Sequence, residues 1–68
     1  MAEGRVKWYS AGLGYGFILP DDGGAEVLVA HADVAGDDGS KSLEKGARVA
    51  YEVVRGEEGL EAKNVSGT

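Results

Sequence analysis

The most restrictive feature of this 68-residue chain is a series of short segments in which apolar and polar side chains alternate, separated by glycine-containing turns. Alternation with a period of two places one set of side chains in the core and the other toward solvent, as in half-buried β-strands. Only residues 31–34 suggest a turn of helix. The pattern therefore predicts an all-β fold, a small closed barrel of five strands.

The five strands are predicted at residues 5–9, 15–19, 25–30, 48–53 and 60–65. Val27 and Val29 mark one buried face, and Val49, Tyr51 and Val53 mark another. Residues 35–41 are expected to form a flexible loop. We expect residues 1–68 to be a single domain with an ordered core of about residues 4–65, followed by a frayed C-terminal end at 66–68.

Composition excludes several classes of function. The chain has no cysteine, which excludes disulfides, thiolate zinc sites and a thiol nucleophile. His31 is the only histidine, so a histidine-rich metal site cannot form, and a surface or stacking role is expected for it rather than a role as a general base or metal ligand. We therefore expect no enzymatic activity and no cofactor. The absence of a membrane-length apolar run and of a secretion signal predicts a cytoplasmic protein without a membrane partner.

Four of the five aromatic residues lie between Lys7 and Ile18. With Val6 and Ile18 marking the inward face, we expect Trp8, Tyr15 and Phe17 to point outward, whereas Tyr9 is out of step with Trp8 and belongs in the core or at an edge. An exposed apolar cluster of this kind is typical of a binding site, and aromatic faces can stack on unpaired nucleic-acid bases. The alternative is that the three rings merely cover an open end of the barrel.

The overall charge opposes nucleic-acid binding. Seven Lys and Arg against twelve Asp and Glu give a net charge of −5, whereas proteins that bind nucleic acid without sequence preference usually carry a basic patch. Screening limits the reach of distant acids to about 8 Å at physiological salt. We therefore expect Arg5, Lys7 and Lys41 to contact phosphates locally, with base stacking supplying most of the affinity.

The motifs extend beyond the aromatic segment. Gly14-Tyr15-Gly16-Phe17-Ile18, together with residues 4–9, 42–46, 51–53 and 62–65, resembles the bacterial cold-shock protein family along nearly the whole chain. The resemblance implies a five-stranded antiparallel oligonucleotide/oligosaccharide-binding (OB) barrel. It further implies binding of single-stranded RNA or DNA, as an RNA chaperone or as a regulator of transcription or translation in stress. We expect the chain to act as a monomer.

The resemblance also assigns roles to individual residues. It implies binding roles for Lys7, Trp8, Tyr15 and Phe17, and a stacking role for His31. Leu28 keeps a site position but replaces a stacking ring, while Ala30 and Ser40 also lack the side chains usual in the family. Losing two stacks at about 1–3 kcal/mol each predicts weaker binding than is typical of the family. The candidate binding residues are Arg5, Lys7, Trp8, Tyr15, Phe17, Leu28, His31 and Lys41.

A second hypothesis remains open. The acidic charge and the missing rings are also compatible with a barrel that binds another protein and has lost most of its nucleic-acid binding. In that case Trp8, Tyr15, Phe17 and Leu28 would form an apolar patch for the partner.

Overall fold

The computed structural model describes residues 2–34, 43–57 and 59–67. These residues form five strands, namely β1 (Ala2–Ser10), β2 (Tyr15–Pro20), β3 (Val27–Ala30), β4 (Arg48–Gly56) and β5 (Gly59–Gly67). A single turn of 3₁₀ helix, His31–Asp33, follows β3 and agrees with the helical turn predicted there. No helix in this part of the chain is long and apolar enough to cross a membrane.

The strands close into a barrel in the order β1-β2-β3-β5-β4, with β4 pairing back onto β1. The predicted five-stranded OB-type barrel is confirmed, but one pair of strands, β3 and β5, is parallel. The direction follows from the other pairings, which are antiparallel. β3 is two antiparallel pairings away from β1, through β2, and therefore runs in the same direction as β1. β4 pairs directly with β1 and therefore runs in the opposite direction. β5 is antiparallel to β4 and must therefore run with β3.

The core consists of aliphatic side chains and one tyrosine. Val27 and Val29 are buried while the alternate residues Leu28 and Ala30 are only half-buried, as the alternation predicts. Branched side chains suit such positions because they pack well on a pleated surface. Among the described residues, the buried apolar side chains are those of Val6, Ile18, Val27, Val29, Val34, Val49, Tyr51, Ala62 and Val65.

Two expectations near the C-terminus are wrong. Val53 is expected to be buried with Val49 and Tyr51 but is 43% exposed. It lies in the segment 52–55, which is exposed throughout and leads into the β4–β5 hairpin. The alternation of apolar and polar residues thus extends along β4 past the part of the strand that faces the core. Ser66 and Gly67 do not fray, since they pair with Ala50 and Val49. Thr68 and the expected flexible loop at 35–41 lie outside the described residues.

Candidate nucleic-acid interface

A β-bulge at Lys7 sets the direction of the only tryptophan. Val6 pairs with Ile18 and Trp8 pairs with Phe17, so Lys7 is an extra residue on β1. Strict alternation would place Trp8 on the buried side with Val6. The inserted residue shifts the alternation by one and brings Trp8 to the outer face beside Phe17. Trp8 is therefore outward, as expected, but for a reason that alternation alone does not supply.

Three aromatic side chains, Trp8, Tyr15 and Phe17, form what we call the ring cluster. The ring centroids of Trp8 and Tyr15 are 5.4 Å apart, those of Trp8 and Phe17 are 5.7 Å apart, and those of Tyr15 and Phe17 are 6.1 Å apart. The planes are inclined by 59–87°, in the edge-to-face manner that aromatic pairs prefer. Tyr15 is 38% exposed, and Trp8 and Phe17 are half-buried. The three rings support one another and still present surface to solvent.

Gly16 explains why a glycine separates the two rings on β2. A Cβ atom at this position would collide with the carbonyl oxygen of Trp8 and would lie 2.6 Å from the Cα of Tyr9. Both contacts are with backbone atoms, which cannot move aside without disturbing the β1–β2 pairing. Glycine therefore permits the close approach of β2 to the bulged strand, and this approach holds the ring cluster together.

An open groove of about 750 Å³ extends from the ring cluster across β3 toward β5. We call it the β3–β5 groove. Leu28 is central to it, because it pairs with Phe17 on one side and with Glu61 on the other. The groove is lined by Tyr15, Phe17, Ala25, Glu26, Leu28, Gly59 and Leu60. Sequence patterns do not identify Glu26 or Leu60 as site residues, because their proximity depends on the parallel pairing of β3 and β5.

Two of the three predicted phosphate-binding cations, Lys7 and Arg5, are engaged within the protein. The Nζ atom of Lys7 lies 2.7 Å from Oε2 of Glu26, and this ion pair is exposed at both ends. The Nη1 atom of Arg5 donates a hydrogen bond of 3.2 Å to the carbonyl oxygen of Gly46. The third predicted cation, Lys41, lies outside the described residues. Positive charge beside the ring cluster is therefore partly neutralised.

Two cations elsewhere on the described surface, Arg48 and Lys63, are also paired. Arg48 contacts Glu3 at 3.0 Å and Asp21 at 2.8 Å, and the hydrogen bonds to these two carboxylates raise its pKa above the ordinary value. Lys63 contacts Asp33 at 3.1 Å, and this hydrogen bond is the main cause of its raised pKa. Neither cation belongs to the ring cluster or lines the β3–β5 groove.

His31 is held in place by Tyr9. The Tyr9 hydroxyl oxygen is 2.8 Å from Nδ1 of His31, and the backbone N–H of His31 donates to the carbonyl oxygen of Gly14 at 2.8 Å. Tyr9 packs against the core, as expected for its position, and burial raises the pKa of its hydroxyl group. His31 itself is exposed and follows Ala30, which pairs with Tyr15 of the ring cluster. The described residues contain no cluster of His, Asp and Glu that could hold a metal ion.

Comparison with known proteins agrees with the geometry. The family model described as the 'Cold-shock' DNA-binding domain matches residues 2–68. The chain is 45% identical over 65 residues to Cold shock-like protein CspA of Stigmatella aurantiaca, covering 96% of this chain and 94% of that protein. It is 46% identical over 66 residues to the Major cold shock protein of Micrococcus luteus, covering 97% of each. It is 41% identical over 63 residues to Cold shock-like protein CspE of Escherichia coli, covering 93% of this chain and 90% of that protein.

A solved structure supports the fold. The structure titled "drosophila Unr CSD456" matches with a TM-score of 0.78 at 18% sequence identity, over 98% of this chain. The chain spans 26% of that longer protein, so the likeness concerns the barrel alone. Together with the family model and the relatives of similar length, the barrel and its ring cluster establish that this chain belongs to the cold-shock domain family, a family of single-stranded nucleic-acid-binding proteins.

Proposed function

We propose that the chain binds single-stranded RNA or DNA by stacking unpaired bases on Trp8, Tyr15 and Phe17, and that it acts as an RNA chaperone or as a regulator of transcription or translation. The observation that carries this proposal is the ring cluster, three mutually packed rings at the surface of the barrel. Each stack of a base on an aromatic side chain contributes about 1–3 kcal/mol and tolerates any base. Bases held in this way are unavailable for pairing, which is the physical basis of a chaperone role.

The paired cations indicate that stacking supplies most of the affinity. Lys7 would have to leave Glu26, and Arg5 would have to leave Gly46, before either could contact a phosphate. Each phosphate contact with a single strand adds about 0.7 to the slope of log affinity against log salt concentration. A chain with few available cations should therefore show weak salt dependence. Leu28 adds apolar contact without a ring, and His31 adds an exposed ring held by Tyr9.

The remaining properties follow from the family and the composition. We infer a single-domain monomer that acts in the cytoplasm without catalysis and without a cofactor. The relatives of nearly equal length support a single domain as the functional unit.

A second candidate function is binding to another protein. The net charge of −5 and the apolar lining of the β3–β5 groove favour it. In this case the ring cluster would be covered by an apolar segment of the partner. The experiment below separates the two functions.

Tryptophan fluorescence tests the proposal directly, because Trp8 is the only tryptophan and belongs to the ring cluster. Titration with oligo-deoxythymidine or oligo-uridine at low salt should quench its emission. Phe17→Ala should weaken binding about 5- to 150-fold, the equivalent of one stack of about 1–3 kcal/mol. Val53→Ala removes an exposed apolar side chain outside the ring cluster and serves as the matched control. Emission that does not change at high strand concentration would favour the protein-binding alternative.

A further inference from the structure

Tyr9 and His31 form a polar side-chain pair that stacking on the ring cluster does not use. The Tyr9 hydroxyl oxygen lies 2.8 Å from Nδ1 of His31, although the two residues are 22 positions apart in the sequence. We propose that Tyr9 is a positioning residue that fixes His31 as its Nε2–H tautomer, and that this N–H group donates a hydrogen bond to a phosphate oxygen of the bound strand. This inference rests on the proposed function, because it needs a strand lying across the rings.

The backbone of His31 is fixed beside the ring cluster. Its N–H group donates to the carbonyl oxygen of Gly14 at 2.8 Å, and its carbonyl oxygen accepts a hydrogen bond from the N–H group of Val34 at 3.2 Å. The preceding residue, Ala30, pairs with Tyr15 of the ring cluster, and His31 itself is exposed. The imidazole therefore emerges next to the stacking surface from a backbone that is already ordered, which lowers the entropic cost of binding.

Tyr9 reaches His31 across a glycine on β2. Tyr9 pairs with Gly16, and Gly16 pairs with Val29, two residues before His31. A Cβ atom on Gly16 would lie 2.8 Å from Cδ1 of Tyr9, so the absent side chain leaves room for the tyrosine ring. Tyr9 packs against the core, which fixes its hydroxyl group in place. Burial raises the pKa of this hydroxyl group, so at neutral pH it keeps its proton and can donate it.

The hydrogen bond from Tyr9 decides which nitrogen of His31 carries the proton. A neutral imidazole has one N–H donor and one acceptor nitrogen, and the hydrogen bond at one nitrogen sets the state of the other. With the Tyr9 O–H group donating to Nδ1, the proton is on Nε2. The two nitrogens lie on different sides of the ring, so Nε2–H is directed away from the core-packed Tyr9.

A phosphate oxygen is the acceptor that the neighbouring charges favour. Lys7 is paired with Glu26, and Arg5 donates to the carbonyl oxygen of Gly46, so a strand on the rings meets little free positive charge from these two cations. His31 supplies a donor that no carboxylate of the described residues engages. Hydrogen bonds to an ionised acceptor such as a phosphate are stronger than those between neutral groups.

The surroundings of His31 leave its own charge as the variable one. In the described part of the chain, β1 presents the phenol group of Tyr9, β2 presents that of Tyr15, and the turn at 11–14 carries no titratable residue. Asp33, in the same 3₁₀ turn, is paired with Lys63 of β5 at 3.1 Å. Protonation of His31 keeps the pair with Tyr9, because the tyrosine oxygen then accepts from Nδ1–H, and it adds one positive charge at Nε2–H. The affinity for a strand should therefore rise as the pH falls through the range in which imidazole titrates, about pH 8 to 5.

A first test compares His31→Gln with His31→Asn. The amide nitrogen of glutamine lies about as far along the side chain as Nε2 of histidine, whereas that of asparagine reaches only as far as Nδ1. The probe is the anisotropy of a fluorescently labelled oligo-deoxythymidine, which does not depend on the emission of Trp8. At about pH 8, His31→Gln should bind about 2- to 12-fold more tightly than His31→Asn, the equivalent of one net hydrogen bond. Equal affinities would overturn the proposal.

A second test removes only the Tyr9 hydroxyl group. Tyr9→Phe should weaken binding about twofold in the unmodified chain, because the Nε2–H form becomes one of two accessible tautomers, and should not weaken it in the His31→Gln background. A merely structural role of Tyr9 would weaken binding in both. Nitrogen NMR reads the tautomer directly, since His31 is the only histidine. Nδ1 should be unprotonated at about pH 8 and become partly protonated in Tyr9→Phe; an Nδ1–H tautomer in the unmodified chain would overturn the proposal.

The pH profile separates a phosphate contact from a base contact. Between about pH 8 and 5.5, the slope of log affinity against log salt concentration should steepen by about 0.7 in the unmodified chain, as for one added phosphate contact. His31→Gln retains every carboxylate of the chain and is the control for their titration. A rise in affinity without a steeper slope would place the contact on a base and overturn the phosphate assignment. These negative results leave the stacking proposal intact, since Phe17→Ala tests it; failure of the unmodified chain to bind any strand would overturn both.

Discussion

The ion pair between Lys7 and Glu26 offers a sensitive test of how charge limits binding. The two side chains are 46% and 41% exposed, and their charged atoms are 2.7 Å apart. An exposed pair of this kind contributes only about 0.2–1 kcal/mol to folding. Glu26→Gln should therefore leave stability nearly unchanged while releasing Lys7 beside the ring cluster.

The released ammonium group should contact a phosphate of the bound strand. One additional phosphate contact steepens the slope of log affinity against log salt concentration by about 0.7. Between about 20 and 200 mM salt, the affinity of Glu26→Gln should then fall about fivefold more than that of the unmodified chain. The measurement is a series of Trp8 fluorescence titrations with one oligonucleotide at several salt concentrations, accompanied by thermal unfolding of both proteins.

A double-mutant comparison identifies the cation responsible. Lys7→Gln in the Glu26→Gln background should remove the added salt dependence, because the new phosphate contact requires the ammonium group. An unchanged slope in Glu26→Gln would refute the view that this ion pair restrains Lys7. A steeper slope that survives Lys7→Gln would instead attribute the effect to the lost negative charge alone.

Two further substitutions test packing on either side of the barrel. Gly16→Ala should destabilise the fold by about 1–3 kcal/mol and alter Trp8 emission, because its Cβ would collide with backbone atoms of Trp8 and Tyr9. The control is Gly12→Ala, whose Cβ would meet nothing closer than 3.9 Å. Equal unfolding temperatures for the two variants would contradict this account. Tyr51→Phe should stabilise by about 1 kcal/mol, since the buried Tyr51 hydroxyl has no partner among the described residues. Burial is the main cause that raises the pKa of Tyr51, and the nearby charges of Asp22 and Asp21 raise it further. The free energy of unfolding of the unmodified chain should therefore decrease as the pH rises above about 10, and it should decrease less in Tyr51→Phe. Identical alkaline unfolding of the two proteins would show that Tyr51 ionisation does not contribute.

Much of the barrel was predictable because local alternation decides which face of each strand is buried. Val27 and Val29 are buried as predicted, and Tyr15 and Phe17 lie on the face opposite Gly16. The alternation failed at Val53, since period two states which residues share a face but not how far the barrel extends along the strand. The pairing of Ser66 and Gly67 was missed for a similar reason, because it depends on a partner strand that is distant in sequence.

The sequence by itself determined five short strands, the identity of the core valines and the concentration of rings on one segment, because these depend on side-chain type and spacing within a strand. The tertiary structure decided the bulge at Lys7 that brings Trp8 to the outer face, the engagement of Lys7 by Glu26, and the groove between β3 and β5. Each of these depends on the register between strands. Register is set by which segments pair across the whole barrel, and no local pattern in a single strand specifies it.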